Sequence, residues 1–277
     1  MKRNIVRNIL AALIFLVGLG VLFYPVGSDL WNQYRQNQLA EDYEQTVRQL
    51  TPEDYSKWRD AAKKYNKHLQ WQAYDAFSGT DLDKDDPYWS LLNVNNDGVM
   101  GYLEIPKISV RLAIYHGTSE KALEQGVGHL VGTSLPVGGK GTHSVLSAHC
   151  GLPTALLFTN LDQMQKGDLF YLHVLGDTLA YEVDQILVVE PDDISALKPV
   201  AGKDYVTLLT CTPYGVNTHR LLVRGHRTKV PDNKQDVTPL DQILASLGWK
   251  AKLLIALAAI VLLAIVIAIV KKRRRKR

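Results

Sequence analysis

Two unbroken apolar runs bracket a long middle section whose hydrophobic positions recur at short, changing intervals. The first run lies in residues 9–27 and the second in residues 249–270, each about the length that carries a helix across a bilayer. Lys2, Arg3 and Arg7 precede the first run, and seven Lys/Arg residues close the chain at 271–277. The excess of positive charge outside both runs predicts that the tails 1–8 and 271–277 are cytoplasmic and that the middle lies on the outer face. A signal peptide cut near Val26-Gly27-Ser28 is the other reading of the first run, but the run is long for a signal core, which favours an uncleaved anchor. Abutting a spanning run, the basic tail reads as a stop-transfer anchor and not as a nucleic-acid patch.

Residues 28–74 carry aromatics and leucines at helical spacing: Trp31, Tyr34, Leu39, Tyr43 and Val47, then Tyr55, Trp58, Ala62 and Tyr65. Thr51-Pro-Glu-Asp54 is a helix start, with a capping Thr, Pro in the first turn and acids where the helix dipole favours them. Two amphipathic helices outside the membrane are expected here. Periodicity is then lost through residues 75–96, a charged loop with one aromatic cluster at Tyr88-Trp89. From 97 to 229 the pattern becomes β-like, with runs at 99–105, 110–114, 128–131, 143–149, 169–174, 179–189, 205–211 and 220–225 separated by Gly, Pro, Asp or Asn. Eight short strands at that spacing predict a mostly β fold, a closed or nearly closed barrel, interrupted by short helical or turn segments at 119–125 and 153–164. Residues 230–248 read as a polar linker.

Net charge is +4, yet the two tails hold ten basic residues and no acid, leaving about −6 between them. An acidic outer part argues against nucleic acid as a partner. The chain has two cysteines, too few for a disulfide framework, so an exported fold rests on its hydrophobic core.

Candidate chemistry centres on Cys211, which ends the β-branched run from Tyr205, and on Arg220, which opens the returning run across a turn rich in Pro, Gly and Asn. A thiol where the backbone leaves a sheet is placed for reaction, and a guanidinium returning across the hairpin stabilises negative charge beside it. The plain alternative is a buried small hydrophobe. A cysteine nucleophile needs a proton-transfer partner, and His149 also ends a strand-like run, so it is chosen ahead of His219, His226 and His143; His68 and His173 read as surface residues. Zinc binding by His149, Cys150, Cys211 and His219 is disfavoured, because neighbours in an extended chain face opposite ways and no Cys-x-x-Cys is present.

Thr207-Leu-Leu-Thr-Cys211, Arg220 nine residues on, and Ser147-Ala-His149-Cys-Gly-Leu-Pro153 with Leu157-Phe-Thr-Asn-Leu-Asp162 resemble the sortase family of cysteine transpeptidases over about residues 92–227. The hairpin from Cys211 to Arg220 and the second apolar run are most similar to class C, the pilin-polymerising sortases. That resemblance implies Cys211 as nucleophile, His149 as general acid/base and Arg220 as the oxyanion-stabilising group. It implies cleavage between Thr and Gly of a Leu-Pro-x-Thr-Gly signal, an acyl-enzyme thioester, and transfer to a lysine amine of a pilin subunit or to a cell-wall amine. No metal or organic cofactor is implied. A lid is implied too, with Asp86 paired to Arg220 and the ring of Tyr88, after Pro87, over Cys211; by themselves these three residues read as a turn. Where the family commonly has Gly-His-Arg this chain has Ala148-His149-Cys150, and Cys150 is expected to be buried and inert. The alternatives carried forward are a wall-anchoring sortase, a Cys/His hydrolase and a non-catalytic surface protein.

Overall fold

A computed structural model describes residues 2–71, 82, 83 and 85–246. Its centre is an eight-stranded closed barrel in which β1 (Val99–Ile105), β2 (Val110–His116), β3 (Val127–His129), β4 (Thr142–Ser147), β5 (Leu169–Val174), β6 (Asp177–Val189), β7 (Asp204–Thr212) and β8 (His219–Thr228) follow the order β1-β2-β3-β4-β7-β8-β6-β5. Antiparallel pairing of β1 with β5 closes the ring, so no sheet edge is left unpaired. Each strand overlaps one of the eight expected runs. Most ends differ by one to three residues: β2 continues to His116, where it pairs with His129 of β3, whereas β3 and β4 each stop two residues short of the expected run. The interior is filled by inward side chains such as Leu103, Ile114, Leu146, Phe170, Leu208 and Val223, all buried. Each such side chain contributes about 1.5–3 kcal/mol by leaving water.

The helical flank departs from the expectation. Residues 2–49 form one helix, α1 (Lys2–Gln49), which runs through Pro25 and past the boundary expected between 27 and 28; a proline removes only one intrahelical hydrogen bond, and the rest carry the helix across. The first of the two expected outer helices is therefore the continuation of α1. The second is α2 (Pro52–His68), capped by Thr51 Oγ1 accepting from the Asp54 amide at 3.1 Å. Tyr43 on α1 fastens the helix to the barrel, its hydroxyl donating to Met100 O and accepting from Leu175 N, both at 2.9 Å. The short helical segment near 119–125 is α3 (Glu120–Gln125).

Among the described residues no helix is long and apolar enough to cross a membrane. The span expected at 9–27 falls in α1, several of whose side chains there lie outside the description; the span at 249–270 and the tail at 271–277 lie wholly outside it. The described structure thus does not bear out two spanning helices. The expected linker is also different where it is described. Lys234 Nζ, Val237 N and His173 Nε2 all donate to the buried carboxylate of Glu104, and α4 (Pro239–Ser246) docks on α1 through Asn37 Nδ2 to Gln242 Oε1 at 2.7 Å. Lys234 and the Val237 amide thus tie this stretch to the barrel, while Asp232, Asn233, Gln235 and Asp236 stay exposed.

Burial of ionisable groups gives the fold an acid sensitivity with a calculable sign. His129 and His143 are fully buried, and desolvation lowers both to about 4. Each is neutral and hydrogen-bonded at both ring nitrogens: His129 between Tyr88 Oη and Ser134 O, His143 between Thr207 Oγ1 and Lys198 O. A histidine lowered from about 6.5 binds its proton more readily in the unfolded chain, so stability falls as pH drops from about 6.5 to 4, by roughly 3 kcal/mol per residue. For Glu104, burial pushes the carboxyl up, but the bonds from His173, Lys234 and Val237 outweigh it and hold it at about 2. Its contribution is present above its ordinary value and is lost between about 4.5 and 2. Denaturant midpoints measured from pH 7.5 to 3 are expected to fall through both windows. A flat profile above pH 4.5 would contradict the neutral buried histidines.

Candidate active site

Strand register assembles the site. In the antiparallel β7–β8 ladder Cys211 lies directly opposite Arg220, so their side chains project from the same face, with Cβ atoms about 4.5–5.5 Å apart. On its other side β7 runs parallel to β4 with Ser147 opposite Leu209. The Ala148 amide still donates to Leu209 O at 3.2 Å, and Thr210 Oγ1 donates to Ala148 O at 2.7 Å, so alignment persists past the end of β4. One further step brings His149 level with Cys211. The three residues singled out from the sequence therefore gather at one rim of the barrel. Cys211 and His149 are half-buried; Arg220 is buried, with Nη1 donating to Asn217 O and His219 O of the hairpin turn.

Burial lowers the His149 imidazole below its ordinary value, opposed by the carboxylates of Glu124 and Glu120 on α3. Beyond His149 the chain folds back, with the Phe158 amide donating to His149 O at 3.1 Å and the Gly151 amide to Thr159 Oγ1 at 3.0 Å. Gly151 has φ +80°, and a Cβ there would lie 3.1 Å from the Tyr214 ring, so glycine lets this loop close against the Cys211 hairpin. Cys150 is a free thiol and half-buried, not sealed in the core as expected. Burial raises it, with Asp162 and Cys211 adding in the same direction, which keeps it a protonated and weak nucleophile.

Asp86, Pro87 and Tyr88 form one 3₁₀ turn. Asp86 caps it, Oδ1 accepting from the Tyr88 amide at 2.8 Å. Tyr88 is fully buried: its hydroxyl accepts from Gly117 N and donates to His129 Nδ1, both at 2.9 Å, and its ring meets Tyr65 of α2, Trp89, His116 and His129. Those partners lie on α2, β2 and β3 or beside them; the expected contacts of Asp86 with Arg220 and of Tyr88 with Cys211 are not among them. The turn is a plug built into the fold. Tyr88→Phe is expected to cost about 1–3 kcal/mol, because it strands the buried Gly117 amide and the His129 ring nitrogen together; a midpoint equal to wild type in urea titration would contradict that network. Residues 72–81 and 84 of the expected lid loop lie outside the described residues.

The remaining histidines sort differently from the sequence reading. His143 is a core residue, and His219 pairs with Glu190 at 3.2 Å. His173 is not simply a surface residue: it bonds Glu104 and stacks on Tyr102 with ring centroids 4.3 Å apart. The sequence reading missed Glu120 and Glu124 as neighbours of His149, and Tyr214 against Gly151; both relations join parts of the chain remote in sequence.

A sortase domain model matches residues 103–228. Sortase C of Streptococcus pneumoniae superposes with a TM-score of 0.65 at 45% identity, covering 70% of this chain and 97% of that one. Sortase C-1 of Actinomyces oris does so with a TM-score of 0.61 at 50% identity, covering 65% and 100%. Sortase A of Bacillus anthracis is 27% identical over 226 residues, 81% of this chain and 96% of its own length.

Proposed function

We propose, on the premise that this chain belongs to the sortase family of cysteine transpeptidases, that it joins pilin subunits on the outer face of a Gram-positive-type cell. The observation that carries this is the register of the rim, Cys211 opposite Arg220 with His149 alongside. The likeness to pneumococcal sortase C, described in terms of catalysis and pilin substrate specificity, supports the choice of substrate. Cys211 is the nucleophile. His149, kept neutral by burial, takes the thiol proton as sulfur attacks the Thr–Gly carbonyl of a Leu-Pro-x-Thr-Gly signal. Arg220 stabilises the tetrahedral oxyanion, and the imidazolium returns the proton to the leaving glycine amine. A lysine amine then attacks the thioester, giving an isopeptide bond and regenerating the thiol. The energy of the broken peptide bond is kept in the new one, so the reaction needs no nucleotide.

Membrane anchorage by residues 9–27 and 249–270 belongs to the same reading. Its support is the unbroken apolar sequence of both runs, their basic flanks, and the exposure of Leu10, Leu13, Ile14, Val17 and Val21 on α1. The competing reading, attachment to cell-wall peptide, differs in the accepting amine. Full-length protein in detergent, given a sorting-signal peptide with a lysine-bearing pilin peptide and a cell-wall-type peptide in competition, is expected to favour the pilin lysine. Preference for the wall-type amine would move the function to anchoring, and release of free acid alone would make the protein a hydrolase.

A further inference from the structure

We infer that residues 28–32 of α1 are a positioning clamp for His149, acting through the loop that follows it, so that the N-terminal helix is a working part of the transfer site as well as a tether. The inference rests on the role proposed above for His149. That residue lies beyond the last β4–β7 pair, Ser147 with Leu209; bonds from Ala148 to Leu209 and Thr210 hold the chain on the side before it, and the loop after it sets the other side. The loop is tied to His149 by the Phe158 amide on His149 O and by Thr159 Oγ1 under the Gly151 amide. Its far side is held from α1. Thr154 O accepts from Asn32 Nδ2 at 2.7 Å and from Ser28 Oγ at 3.2 Å, and the Leu156 amide donates to Asp29 Oδ1 at 2.8 Å. Asp29 is 6% exposed, and its second oxygen accepts from Gln33 Nε2 at 2.7 Å, which locks the carboxylate rotamer.

Between the two sets of bonds Leu157 adopts φ +41°, a left-handed conformation that a branched side chain takes only when its surroundings impose it. Phe158, next in line, is fully buried. Loss of the clamp lets this strained turn relax, and the shift passes through Phe158 to the carbonyl of His149. An imidazole moved by a fraction of an ångström still leaves substrate binding intact but slows proton transfer.

Asp29 acts here as a hydrogen-bond acceptor and not as a charge, which makes a conservative variant informative. In Asp29→Asn the remaining oxygen still accepts from Leu156 N, and the new amide, which replaces the acceptor of Gln33 Nε2, can donate to Gln33 Oε1 once that side-chain amide turns over; Gln33 Oε1 is buried without a hydrogen-bond partner among the described residues. Steady-state kcat and KM are to be measured for full-length wild type, Asp29→Ala, Asp29→Asn and Asn32→Ala in detergent, with sorting-signal peptide and an amine acceptor, at a temperature where melting curves show each protein folded. Asp29→Ala is expected to lower kcat about 10- to 100-fold with KM within about threefold, and Asp29→Asn to recover kcat to within about threefold of wild type. Asn32→Ala, which removes the shorter bond to Thr154, is expected to lower kcat with KM likewise unchanged, and it carries the test if Asp29→Ala does not fold. Wild-type kcat in Asp29→Ala or, failing that, in Asn32→Ala overturns the inference. So does Asp29→Asn as slow as Asp29→Ala, since the charge itself is then required. A wild-type protein that forms no thioester undoes the proposed function instead, which separates the two failures.

Discussion

Cys211→Ala is expected to abolish thioester formation and to reduce transfer of a sorting-signal peptide by at least about 10³-fold, because no other group at the rim replaces the sulfur as nucleophile. Cys150 does not substitute for it: burial, together with Asp162 and Cys211, keeps that thiol protonated. Cys211 is half-buried, so trimming it to Ala is expected to change the unfolding free energy by no more than about 0.5 kcal/mol. Activity and stability therefore separate cleanly in this variant. His149→Ala is expected to approach the same loss, since nucleophile and base act as a unit and their effects do not add. Peptide turnover followed by chromatography, beside a urea titration, checks both halves; turnover within tenfold of wild type in Cys211→Ala contradicts the assignment.

The second large effect is expected at Arg220. Arg220→Ala removes the cation opposite the sulfur and is expected to lower kcat by about 10²–10³-fold. It also strips the donor from the Asn217 and His219 carbonyls, so the hairpin loosens and stability falls by about 1–3 kcal/mol. Arg220→Lys distinguishes the two contributions. A lysine restores the charge but not the planar fork, which holds the turn carbonyls and, in the proposed mechanism, is oriented towards the oxyanion. Kinetics of Arg220→Lys are therefore expected to lie much nearer Arg220→Ala than wild type. A lysine variant with wild-type kcat would show that charge alone suffices and that the register opposite Cys211 carries no orientational demand.

Much of this site was legible in the residue pattern for a physical reason. β-branched runs bounded by Gly, Pro and Asn define strands locally, and Cys211, Arg220 and His149 each sit at or just past such a boundary, so a closed barrel carries them to a common rim. What the pattern hid depends on partners far away in sequence. Asp86-Pro87-Tyr88 reads as a turn, and it is one, but only Gly117 and His129 make Tyr88 a buried anchor. The stretch after β8 looks like solvent-loving linker because Lys234 is charged; its destination, the buried Glu104 carboxylate, is 130 residues upstream. Residues 28–47 read as a separate outer helix, yet α1 continues unbroken to Gln49 and brings Asp29 and Asn32 to the loop after His149, a role that helical spacing alone does not show.

The most direct measurement is to mix the full-length protein with a sorting-signal peptide, quench in acid, and locate the adduct by intact-mass and proteolytic mass spectrometry. The account predicts release of the glycine-led fragment and a thioester on Cys211, absent in Cys211→Ala and strongly reduced in His149→Ala and Arg220→Ala. An acyl group on Cys150, or undiminished acylation after loss of His149 and Arg220, would contradict a single site built from these three side chains.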